Sequence, residues 1–122
     1  MALLANTLVA LVAILHVWFL VLEMFLWTKP LGLKTFRNTP EHARDSAVLA
    51  ANQGLYNGFL AAGLVWGLVT TSPPGALAIQ TFFLGCVVTA ALFGAATVSK
   101  RILLIQGAPA ILALLFLWMA QG

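Results

Sequence analysis

Residues 3–27, LLANTLVALVAILHVWFLVLEMFLW, form a predominantly apolar run that can cross about 30 Å of bilayer hydrocarbon as one helix. Within it stands a single acid, Glu23. A charge at the centre of a membrane helix costs about 2.5–3.5 kcal/mol, so such residues face a protein interior or a watery cavity. Glu23 therefore marks both the environment of the chain and the first place to look for a site.

Three further stretches, residues 47–71, 76–98 and 102–120, are also apolar and approach or exceed the length of a span. With 62% hydrophobic and only 7% charged residues in 122, the chain cannot present the surface of a soluble domain and is expected to form a single unit in a membrane. The runs are apolar on all faces, which excludes the alternating pattern of a transmembrane β-barrel. The expected fold is all-α, a four-helix membrane bundle with the lipid bilayer as its first partner.

The first apolar segment has no basic residue ahead of it and is too long for the core of a cleaved signal, so it is expected to be retained. Cys86 is the only cysteine, which leaves neither a disulfide framework nor a thiolate metal cluster. The net charge of +3 does not point to nucleic acid, because the basic residues are confined to two connections. Lys29, Lys34, Arg37 and Arg44 lie in segment 28–46, and Lys100 and Arg101 lie between the last two helices. The TTSPPG connection and both termini have none. By the positive-inside bias, both basic connections face the cytoplasm and both termini face outward, in a bacterial cytoplasmic membrane. Trp27 then falls at the inner interface, with Trp66 and Trp118 towards the outer one.

Segment 28–46 is the one sizeable stretch outside the membrane. Pro30 and Gly32 end helix 1, and Leu31, Leu33 and Phe36 mixed with Lys34 and Arg37 suit an ordinary positive loop or one lying on an anionic leaflet. Thr39, Pro40 and Glu41 form a helix start, with a capping hydroxyl, proline at the first position and an acid in the first turn. His42 is exposed on this reading, and a lone surface His is only a weak functional signal. Gly54, Gly58 and Ala62 form one stripe of small residues and Gly63 and Gly67 another, suited to close helix packing within the chain or to a homo-oligomer.

His16 and Glu23 are two turns apart on nearly one face, about 10 Å along the axis, so they are parts of a stripe and not a bonded pair. Helix 2 returns with Asn52, Gln53, Tyr56 and Asn57 at matching depth, and Gln106 lies at similar depth on helix 4. Asn52 and Tyr56 share one face, Gln53 and Asn57 an adjacent one, and both sets offer amide or hydroxyl partners. Pro109 deprives the Ile105 carbonyl of its helical donor and predicts a kink. Gln80, Thr89 and Thr97 add polarity to helix 3, with the threonines expected to bond back to their own helix.

Membrane hydrogen bonds contribute only about 0.6–2 kcal/mol each, so this cluster holds more polarity than helix packing requires. It reads as a ligand-binding or proton-handling site of Glu23, His16, Asn52, Gln53, Tyr56, Asn57 and Gln106, against the simpler reading of a clamp between helices. One His and one carboxylate do not make a catalytic zinc pattern, and no nucleophile elbow, phosphate-binding glycine loop or haem-ligating His pair is present, so no metal is expected and no cofactor is identified.

The segments LHVWFLVLEMFLW, LAANQGLYNGFLAAGLVWG and QGAPAILALL, in this order, closely resemble the DUF1304 family of bacterial membrane proteins across essentially the whole chain. The ANQGLYNGFLA block at 51–61 and the helix of His16 and Glu23 carry most of the likeness. The resemblance implies a four-helix inner-membrane protein and brings no catalytic residues, because the family has no assigned function.

Three functions compete. A transporter or binding protein for a small solute would use Glu23 to exchange a proton or pair with a cation. A membrane-embedded enzyme would use His16 or Glu23 as acid or base, with isomerisation needing the fewest groups. An accessory subunit would use the glycine stripes to join a larger complex. The six-to-none charge split opposes insertion in both orientations, as in the superficially similar small multidrug transporters. The first function accounts for the polar stripe best.

Overall fold

The computed structural model describes residues 1–122. The chain is all-α, with α1 (Ala2–Met24), α2 (Pro30–Phe36), α3 (Pro40–Val69), α4 (Pro73–Thr97) and α5 (Ala108–Met119), and a π-helical segment, Leu103–Gly107, leading into α5. Two helices, α1 and α4, are long and apolar enough to cross a membrane. The apolar stretch Leu103–Met119 is shorter, and α3 is diluted by Asn52, Gln53, Tyr56 and Asn57.

Local chemistry explains most boundaries. Thr39 Oγ1 accepts from the His42 N–H at 3.1 Å and caps α3, as its position before Pro40 and Glu41 predicts. Pro73 and Pro74 open α4, where their missing N–H groups leave no helical bond unmade. The irregularity expected at Pro109 takes the form of a π-turn: the Ala108 N–H reaches back to the Leu103 carbonyl, five residues away. The ring and absent donor of Pro109 disturb the turn before it, and the chain absorbs this as a widened turn. Thr89 and Thr97 bond back to the carbonyls of Gly85 and Phe93, as expected.

Segment 28–46 is more ordered than a loop. It contains α2, which starts with Pro30 at its first turn and stops at Arg37, a non-glycine residue in the left-handed region at φ 55°. Gly32 explains how α2 turns back beside the end of α1: a Cβ there would run into the carbonyl of Leu26. Two prolines and a glycine within eleven residues hid this helix from propensity, because its stability comes from docking.

The chain divides into two compact units, Leu15–Phe59, and Met1–Ile14 together with Leu60–Gly122. The first holds the C-terminal part of α1, α2 and the N-terminal part of α3. Its interior includes Leu22, Ala43, Ala50 and Gly54. The Trp27 ring packs on Phe36 at 4.8 Å between centroids, and its Nε1 donates to Ser46 Oγ at 3.1 Å, which in turn donates to the His42 carbonyl.

The second unit is built on an aliphatic core that includes Val9, Val12, Leu64, Leu84, Val87 and Leu117. Gly63 lies against the ring of Phe83, and Gly67 against Gln80, whose Nε2 donates to the Gly67 carbonyl at 3.0 Å. The Trp118 indole donates to Thr81 Oγ1 at 3.1 Å.

Candidate functional site

Within Leu15–Phe59, α1 and α3 come close at Gly54. A Cβ on Gly54 would stand 2.7 Å from Met24 Cγ and 3.2 Å from both Glu23 Cβ and the Leu20 carbonyl oxygen. One on Gly58 would stand 2.7 Å from Leu20 Cδ1. Gly54 and Gly58 of the first small-residue stripe are thus used inside the chain, to let two helices come close, whereas Ala62 of that stripe is exposed.

That contact sets the centre of the site. One turn beyond Gly54, the buried Asn57 donates from Nδ2 to Glu23 Oε1 at 2.5 Å. Asn57 is 5% exposed, so its amide is fixed by packing, whereas Glu23 is only half-buried. The amide is neutral. It orients the carboxyl and leaves any negative charge on it to be met by a cation or proton from elsewhere.

His16, two turns before Glu23, is fully buried and meets the Phe19 ring edge-on at 5.3 Å. Asn52, Gln53 and Tyr56 are not drawn to Glu23: all three are exposed, and Tyr56 lies beside Phe59 with ring centroids 6.0 Å apart. Gln106 is half-buried in the π-helical segment, in the other compact unit. Of the polar residues that sequence groups together, the structure joins Glu23 and Asn57 by a direct bond.

Three polar contacts between elements give no signal in the sequence. Trp27 with Ser46 links the end of α1 to the start of α3, Gln80 with Gly67 links α4 to α3, and Trp118 with Thr81 links α5 to α4. A tryptophan and a serine nineteen residues apart give no signal of pairing. Gln80 was visible as a polar residue in an apolar helix, but its acceptor is a backbone carbonyl, which every residue has.

Comparison with known proteins places these features. The family model for DUF1304, a protein of unknown function, matches residues 10–118. A relative from Lactococcus lactis subsp. lactis (strain IL1403), the uncharacterised protein YpaA, is 34% identical over 117 residues, covering 94% of this chain and 97% of its own. The chain belongs to the DUF1304 family. No solved structure matches it.

Proposed function

We propose that the protein is an integral protein of the bacterial cytoplasmic membrane that binds and carries a small solute, using Glu23 as a cation-pairing or proton-exchanging carboxylate. The observation that carries this reading is the half-buried Glu23 carboxyl, held by the neutral, buried Asn57. A clamp alone needs no ionisable group, since two amides make the same bond.

Membrane placement rests on surface chemistry. Only 28% of the apolar window of α1 and 22% of that of α4 lies buried within the chain, whereas the core helix of a soluble domain would be mostly buried. Outward residues such as Leu3, Ile14, Phe82 and Phe93 make a surface suited to lipid tails. In this reading four segments, 3–27, 47–71, 76–98 and 102–120, form the bundle, the termini lie outside, and the basic residues of 28–46 and 99–101 lie in the cytoplasm. Glu23 then sits towards the cytoplasmic end of its helix, where solute from that side has the shortest path.

The test separates charge from clamp. In Glu23→Gln the new Oε1 still accepts from Asn57, so the interhelical bond persists while the charge is gone. A screen of small organic and inorganic cations by thermal shift is expected to yield a compound that stabilises wild type and leaves Glu23→Gln unmoved, although both melt alike without it. In proteoliposomes, movement of that compound should follow a proton gradient and fail in Glu23→Gln. If no compound distinguishes the two proteins, the carboxyl is a clamp and solute binding is refuted.

A further inference from the structure

The polar residues that the site leaves out are themselves informative. Val48, Leu55 and Phe59 are 76%, 43% and 56% exposed, and Asn52 between them is exposed too. Their spacing of four, three and four residues is that of the a and d positions of a heptad seam, with Asn52 at an a position and Tyr56 flanking it. This face lies across α3 from Ala50, Gly54 and Asn57, which are buried. Asn52 is five residues before Asn57, roughly 140° round the helix at 100° per residue.

Two hydrogen bonds act as a depth ruler. Trp27 to Ser46 ties α3 to an indole of the kind that sits at membrane interfaces, and Asn57 to Glu23 ties it to the apolar run of α1. Asn52 lies between them, about 9 Å beyond Ser46 along the helix. In the membrane reading proposed above, on which this inference rests, its amide projects outward among acyl chains. Hydrocarbon offers neither donor nor acceptor, so the group requires a polar partner from another molecule.

We infer that residues 48–59 of α3 form the interface of a parallel homodimer, in which Asn52 pairs with Asn52 of a second copy. A carboxamide both donates and accepts, so it is complementary to itself across a two-fold axis. The one-sided basic charge inserts both copies in the same orientation, which makes the helix pair parallel and brings equal seam positions together. The glycine stripes do not compete for the role. Gly54 and Gly58 are filled by α1 side chains, and Gly63 and Gly67 by Phe83 and Gln80.

The test uses the full chain in detergent and in nanodiscs, with light scattering for mass and circular dichroism to confirm that each variant is helical. Wild type should have the mass of two chains, and Asn52→Leu the mass of one. In a Cys86→Ser background, oxidation should cross-link Val48→Cys and Leu55→Cys at least several-fold more than Ile14→Cys, an exposed position on α1. A one-chain mass for wild type overturns the inference. So does a two-chain mass retained in Asn52→Leu with Val48→Cys no more cross-linked than Ile14→Cys. Failure of the membrane reading is separately visible as release of the protein by alkaline carbonate. Failure of the Glu23 site appears in the thermal-shift and proteoliposome assays and not in the mass, because Glu23→Gln should leave the mass unchanged.

Discussion

Leucine at position 54 tests the close approach on which the site depends. The Cβ alone would meet Met24 Cγ at 2.7 Å, which a side-chain rotation relieves, but also Glu23 Cβ and the Leu20 carbonyl oxygen at 3.2 Å, which are fixed by the α1 backbone. The remaining leucine carbons have no space between the helices, so α1 and α3 must part. Overpacking costs about 1–3 kcal/mol. Separation also breaks the Asn57 to Glu23 bond one turn away, worth about 1 kcal/mol. Better helix propensity than glycine returns about 0.8–1 kcal/mol, leaving a net loss near 2 kcal/mol. Gly85 supplies the control: nothing lies within 4 Å of a Cβ built there. Gly85→Leu is thus expected to gain up to about 1 kcal/mol from propensity alone. Reversible unfolding by SDS in mixed micelles, followed by helical circular dichroism, should separate the two variants by about 3 kcal/mol on these terms. Stabilities for Gly54→Leu and Gly85→Leu that agree within about 0.5 kcal/mol, the size of a surface effect, would refute the close contact of α1 and α3.

Two further outcomes follow from single contacts. Thr39→Ala removes the α3 cap and should cost about 1 kcal/mol, with faster hydrogen exchange at the His42 amide; an unchanged exchange rate would show that the cap does not form. Gln80 is 4% exposed and its Oε1 has no partner, so Gln80→Met exchanges one hydrogen bond for relief of a buried orphan acceptor. Stability should hold or rise by up to about 1 kcal/mol, and a loss greater than that would mean that Oε1 is satisfied in solution.

The legible parts of the fold were those set by short-range chemistry. Thr39, Pro40 and Glu41 announce a helix start within three residues, and the structure caps α3 there. The threonines of α4 bond to carbonyls four residues back, a geometry intrinsic to the helix. The irregular turn before Pro109 follows from a missing N–H, although covalent structure alone does not choose between a kink and a π-turn. By contrast α2 is short, contains proline and glycine, and exists through Gly32 seated on Leu26 and Phe36 on Trp27. Neither contact is visible in propensity.

By itself the sequence determined an all-helical chain with a lone acid in its first apolar run and amides on the third helix, because hydropathy, caps and prolines act over a few residues. The tertiary structure alone decided which amide serves the acid. Asn52 with Tyr56 and Gln53 with Asn57 define adjacent faces that the sequence treats alike. Gly54 breaks the tie, since only the face without a Cβ can approach the α1 backbone, and that approach carries Asn57 to Glu23 while turning Asn52 and Tyr56 outward.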